Sequence, residues 1–206
     1  MSDLLTLSPK ELDALRETAS IGAGHAATAL SLMTGQRIMI SVPQLTIAAV
    51  EDVPQQITDE EEPIAAVMMQ MMGDLTGRSL LVFPRATALR LAQLMLRRKR
   101  DASAEFGALE QSALKEAGNI LSGAYLNALS EFLGLMLLPS PPSLVVDMSA
   151  AVLTTAYAQF GAERDMLFAV ETQFLFDDQD DHLRGFFLLM PDMASLRVIL
   201  RAIRVS

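Results

Sequence analysis

With 206 residues, 51% of them hydrophobic and 20% charged, the chain has apolar material for one sizeable core or two small halves sharing one. It contains no Cys, which excludes disulfides, thiolate metal sites and a cysteine nucleophile. A formal net charge of −9 and a pI near 4.7 argue against nucleic acid or an anionic membrane as partner, because the Lys/Arg excess that binds phosphate is missing.

The first residues lack the basic and then apolar pattern of a signal peptide. The longest stretch free of Asp, Glu, Lys and Arg, from Thr18 to Gln36, is rich in Gly, Ser and Thr, so a membrane span is not expected. The composition fits an acidic cytoplasmic protein. The 13 Met and the absence of Trp predict an aliphatic, adaptable core.

In chain order, Ser8-Pro9-Lys10-Glu11 predicts a capping box opening a helix over about 9–34. Leu12, Leu15, Ala19, Ala23, Ala26, Leu30 and Met33 recur at helical steps along one apolar face. Gly35 is placed to end it in the left-handed conformation. "RIMISVPQLTIAAV", "IAAVMMQMM" and "RSLLVFP" read as strands, and a second helix is expected over about 86–98. The order then recurs. A helix over about 108–133 ends at Gly134, "SLVVDMSAAVLTTAYAQF", "MLFAVETQFLF" and "GFFLLMP" read as strands, and a helix at about 192–203 closes the chain. "EDVPQQITDEEEP" (51–63) and "DDQDD" (177–181) read as solvated loops.

The recurrence is a repeat. At a constant offset of 99 residues, Ala14, Leu15, Glu17, Ile21, Gly24, Ala29, Leu30, Ser31 and Gly35 meet identical residues at Ala113, Leu114, Glu116, Ile120, Gly123, Ala128, Leu129, Ser130 and Gly134. Pro43 meets Pro142, and the register slips only further on. The units, about 8–98 and 107–204, are too long for a solenoid repeat and predict one pseudo-two-fold domain over 1–206. Strands joined without intervening helices predict an α+β, antiparallel sheet.

Ser112, Glu116 and Asn119 fall in one sector of the later long helix, with Gly123 continuing it, and Asp13, Glu17, Ser20 and Gly24 do so in the first. The polar members suggest a wet or partner-facing surface, and the Gly would let another backbone come close. A single Glu-x-x-Asn is most often plain solvent face. Two copies, each followed by a proline after the same 22-residue interval from Asn119 and from Ser20, are more specific.

The pattern Asp/Ser-x3-Glu-x2-Asn-x22-Pro resembles the active-site signature of the CheC/CheX/FliY phosphatases of chemotaxis. Ser112, Glu116, Asn119 and Pro142 match it in full. Asp13, Glu17 and Pro43 match, but Ser20 stands where the asparagine belongs. "IGAGHAATALS" and "GDLTGRSLLVFP" are also similar to stretches of that family. The resemblance implies two long helices on a six-stranded, mostly antiparallel sheet, acting on a phosphorylated CheY-type response regulator.

It further implies that Asn119 orients the attacking water, that Glu116 docks on the receiver's Lys, and that Ser112 and Pro142 support them. The Mg²⁺ would come with the receiver, with no cofactor on this chain. Ser20, with a hydroxyl on a shorter arm, implies a weak or silent first site, although Glu17 could still dock. A non-catalytic module of the FliM kind, or a binder of a CheD-like deamidase, is the alternative.

Other features carry less. His25 and His182 lack ligand spacing, and the Asp run at 177–181 lacks the Gly and terminal Glu of a calcium loop. "MMQMM" reads as strand core, and "RRKR" (97–100) as cations at a helix C-terminus.

Overall fold

The computed structural model describes residues 8–49, 63–102, 104–158, 166–176 and 181–205. Helix α1 (Pro9–Thr34) starts where Ser8 accepts a hydrogen bond from the Glu11 amide while the Glu11 carboxylate accepts one from Ser8 N, so two otherwise orphaned amides are satisfied. It ends at Gly35, whose φ of 68° suits a residue without Cβ and whose N–H returns to the Ser31 carbonyl at 3.0 Å.

Two short strands follow, β1 (Ile38–Ile40) and β2 (Gln44–Ala49), then the hairpin β3 (Pro63–Gly73) and β4 (Gly77–Pro84), and helix α2 (Arg85–Met95). The second half repeats this with helix α3 (Ala108–Leu133), β5 (Leu137–Pro139), β6 (Ser143–Met148), helix α4 (Ser149–Ala158), β7 (Met166–Phe176), β8 (Asp181–Pro191) and helix α5 (Met193–Val205). The long helices have the same 26-residue length, and Gly134 caps α3 at φ 65° as Gly35 caps α1.

Among the described residues every strand pairing is antiparallel, and the halves interleave. β4 and β8 pair at the centre, with Leu80 opposite Leu188 and Leu81 opposite Phe187. Each hairpin then takes its edge from the other half: β1 and β2 share one side of β7, while β5 and β6 share one side of β3. Exchanging the halves maps this pattern onto itself. The eight strands occupy six columns, because each outer column is one strand interrupted by a proline.

The face carrying Val67, Leu81, Val170 and Phe187 is covered by α1, α2, α3 and α5 in one large core. The opposite face, carrying Ala66, Leu80, Ala169 and Leu188, is covered by Val152 and Ala156 of α4. This alternation is the period of two that pleated strands impose.

The strand expected through "SLVVDMSAAVLTTAYAQF" is a strand only to Met148, and Ser149–Ala158 is helical. Its Val and Thr suit a strand, but placing Val152 and Ala156 four apart on the second face of the sheet decides for helix. The acidic stretches expected to be loops lie mainly outside the described residues, with Pro63 opening β3 and Asp181 opening β8. Cations 97–100 fall just past α2, whose C-cap is Leu96, and Arg97 has a φ of 54°. Among the described residues no helix is long and apolar enough to cross a membrane.

Candidate active site

Helix α3 has no side-chain cap at Gly107; its start is held by Glu110, buried in the first turn and paired with Arg98 from the segment after α2 at 2.5 Å. A carboxylate there also suits the positive end of the helix dipole. The buried stripe runs through Leu114, Ala117, Gly118, Leu121, Tyr125 and Leu129. Ser112, Glu116 and Asn119 lie opposite it, and all three are exposed. Among the described residues neither Glu116 nor Asn119 has an internal hydrogen bond or ion pair, so a carboxylate and a bifunctional amide face outward one turn apart.

The inner side of the same segment is tightly seated. A Cβ added to Gly118 would lie 2.6 Å from one methyl of Val67 on β3, so glycine is what lets the helix touch the strand. Val67 pairs across the sheet with Leu144 of β6. Two turns further, Tyr125 stacks on Phe187 with 4.6 Å between ring centres, and its hydroxyl meets Thr172 Oγ1 at 2.6 Å. Burial pushes the Tyr125 phenol up to about 12, against a smaller lowering by Thr172.

Pro142 lies two residues before Leu144, in the interruption between β5 and β6. It belongs to the edge column under α3 rather than to the exposed face that carries Glu116 and Asn119. The interruption is bridged by Ser140: its N–H donates to the Gln70 carbonyl at 2.9 Å, and its Oγ accepts from Gln70 N at 3.0 Å. Pro43 sits in the same place between β1 and β2, where Ser41 makes the matching pair of bonds with Gln173 at 3.0 and 3.3 Å. A proline has no N–H to give a ladder, so its place is at such a break.

On α1, Asp13, Glu17 and Ser20 are likewise exposed on one face. Asp13 is engaged by Arg16 at 3.2 Å, a pair that Ser112 cannot make with Lys115. Ser20 donates its hydroxyl to the Arg16 carbonyl at 2.9 Å, so its one proton is turned back into the helix. Beneath, Ala19 replaces the glycine of the other half. It lines an apolar cavity of ≈ 50 Å³ with Leu15, Leu45, Phe168 and Val170.

Sequence reasoning assembled both faces but missed the layer under them. Gly118 in the middle of an apolar helical stripe was the available signal for close contact, whereas nothing local in the sequence announces the Tyr125–Thr172 bond. His25 stands exposed on α1. Among the described residues no group of three or more His, Cys, Asp or Glu is arranged to hold a metal ion.

Two segments, 11–47 and 109–146, match the model of the CheC-like family, and they enclose both faces and both prolines. The CheY-P phosphatase CheC of Bacillus subtilis is 27% identical over 208 aligned residues, covering 100% of either chain. FliY of Thermotoga maritima has a similar structure, with a TM-score of 0.78 at 21% identity, covering 98% of this chain and 99% of that one. FliM from H. pylori, in a complex with SpeE, gives a TM-score of 0.73 at 14% identity, over 97% of each chain.

Proposed function

The chain belongs to the CheC-like family, and from that premise we propose that it hydrolyses the aspartyl phosphate of a CheY-type response regulator. The observation that carries this reading is the pair Glu116 and Asn119, exposed, one helical turn apart and without internal partners among the described residues. The full-length likeness to a CheY-P phosphatase supports it.

Glu116 docks on the Lys that a receiver holds beside its phosphoryl group, which fixes the angle of α3 against the phosphate. The Asn119 amide then takes a water between its oxygen and its N–H and aligns it with the scissile P–O bond. The water oxygen bonds to phosphorus, the bond to the aspartyl oxygen breaks, the aspartate leaves as a carboxylate, and the water's proton departs with inorganic phosphate. No general base is required, because phosphoryl transfer depends chiefly on position and on neutralising charge. The divalent cation belongs to the receiver in this scheme and supplies that neutralisation when bound.

Gly118 and Val67 act indirectly, by holding the outward face of α3 at a fixed height above the sheet. The test is the decay of a phosphorylated receiver domain with and without the protein. Acceleration by the wild type that is lost in Asn119→Ala, with binding retained, is the expected result. Binding without acceleration would instead make the chain a non-catalytic module of the FliM kind.

A further inference from the structure

The cations at 97–100 have no part in the proposed reaction, and the fold gives them company. Residues 85–100 hold Arg85, Arg90, Arg97, Arg98, Lys99 and Arg100 and no acid, in a chain whose formal net charge is −9. Arg98 pairs with Glu110 at the start of α3. Three of the others come together. Arg85, Arg90 and Arg100 line one pocket of ≈ 100 Å³, bounded by α2 and the segment after it, along with Leu89, Gln93 and Asp101.

The walls of this pocket are held in place. Gln93 is buried, and its side chain grips the segment twice: Nε2 donates to the Asp101 carbonyl at 2.7 Å, and Oε1 accepts from Asp101 N at 3.2 Å. The Gln93 carbonyl also accepts from Arg98 N at 2.8 Å. Arg90 is only 6% exposed. A buried cation is costly to keep unless opposite charge lies close to it. Asp101 brings one negative charge to the lining against the three arginines, which leaves two positive charges in excess. Arg90, Arg100 and Asp101 all interact within the chain, but a guanidinium has five N–H donors and a single partner does not use them all.

We propose that this pocket binds a phosphate group, held by Arg85, Arg90 and Arg100. The planar fork of a guanidinium matches phosphate oxygens in pairs. Near pH 7 a phosphomonoester carries about 1.5 to 2 negative charges, which balances the excess on the lining. The volume suits the phosphate itself rather than a whole nucleotide. Ser112, Glu116 and Asn119 present no cation, so phosphate bound here is not the group undergoing hydrolysis. The site therefore stands whether or not the proposed reaction does. Because Arg98 ties the same segment to Glu110, a bound anion steadies the entry to the helix that carries Glu116.

The experiment dialyses the full chain against radiolabelled inorganic phosphate, at an ionic strength held constant with chloride. One ion per chain is expected, with the melting temperature raised by about 3–5 °C at roughly ten times the dissociation constant. The double variant Arg85→Gln with Arg100→Gln removes the two exposed arginines and leaves buried Arg90 in place, so the fold should be kept. Its binding should weaken by about tenfold or more. Arg201→Gln, an exposed cation on α5, should bind as the wild type does. Glycerol 3-phosphate as competitor separates two sources of the same group. Displacement shows that the pocket admits a phosphomonoester, and failure to displace shows that it takes the free ion. No phosphate bound at millimolar concentration, undiminished binding in the double variant, or an equal loss in Arg201→Gln overturns the proposal. Acetate that displaces phosphate at equal concentration overturns it too.

Discussion

The two halves of the molecule share a strand pattern, a helix length and a capping geometry, yet they support their outward faces differently. In the second half Gly118 rests directly on Val67, whose cross-strand neighbour is Leu144. In the first half the matching trio is Ala19, Val170 and Leu45, and all three line an apolar cavity of ≈ 50 Å³ that Tyr125 and Leu129 of α3 also border. Outside, Asn119 is matched by a serine whose hydroxyl is turned into its own helix. The half that keeps the amide is thus also the half in which a helical glycine seats directly on a strand side chain. A group that must place a water within a fraction of an ångström needs such support.

The largest expected effect contrasts the outward residues. Asn119→Ala should lower the dephosphorylation rate by about 10²–10³, the range found when one well-placed donor is removed from a reaction site. Ser20→Ala should change the rate little, since that hydroxyl already serves the helix backbone. Single-turnover decay of phosphorylated receiver at equal protein concentration reads both. Full activity in Asn119→Ala with none in Ser20→Ala would place the working site on α1.

The next contrast lies beneath the faces. Gly118→Leu forces a side chain into Val67 and should destabilise the fold by about 1–3 kcal/mol, the usual penalty of overpacking. For a chain of this size each kcal/mol moves the melting temperature by about 2–4 °C. Ala19→Leu enters the cavity and should cost clearly less. Equal losses in thermal melts would mean that the two helices are seated alike.

Tyr125 gives a smaller, pH-dependent difference. Its counterpart at the 99-residue offset is Ala26, so only the second helix carries a buried phenol. Burial raises its folded pKa to about 12 from the unfolded value near 10. The sign follows: the neutral form is favoured in the fold, and this contribution is complete below pH ~10. Above that, the unfolded chain loses its proton first, and stability falls by about 1.4 kcal/mol per pH unit until the folded pKa is reached. Tyr125→Phe should flatten this alkaline limb. It should also cost about 1 kcal/mol at neutral pH by leaving Thr172 without its partner. Urea melts at pH 7, 9 and 11 would measure both.

The same contrasts separate what is written locally in the amino-acid sequence from what only packing decides. The long helices, the capping box of α1, the two terminal glycines and the exposed Glu116–Asn119 face were legible because a capping box, left-handed glycines and helical periodicity are local. The antiparallel sheet was legible from strands joined without helices. The exchange of edges between halves was not, since it depends on pairings between residues about a hundred positions apart. Helix α4 was hidden because its Val and Thr are strand formers, and only its packing on the second face of the sheet makes it helical. The prolines were legible by their spacing as chain-stiffening residues entering a strand, and what packing adds is the strand they interrupt. They interrupt the edge columns, where Ser41 and Ser140 take over the bonding.

The smallest effect should come from Ser20→Asn, and it probes the comparison most directly. The substitution frees the Arg16 carbonyl from its side-chain bond and puts an amide one turn from Glu17, as on α3. Serine and asparagine differ little in helix propensity, so stability should move by no more than a few tenths of a kcal/mol. If the amide alone separates the two faces, Ser20→Asn in an Asn119→Ala background should restore hydrolysis to the level of the wild type. The structure argues for less than that, because α1 stands over a cavity at Ala19 and its Asp13 is drawn to Arg16. We therefore expect partial recovery, on the order of a tenth of the lost rate or below, with seating losses of about 1.4 kcal/mol or more in the transition state. Adding Ala19→Gly should bring the helix nearer to Val170 and raise the recovered rate further. Full recovery by Ser20→Asn alone would show that the layer beneath the face is irrelevant to catalysis. No recovery even with Ala19→Gly would place the difference elsewhere on α1, with the Asp13–Arg16 pair the next feature to remove.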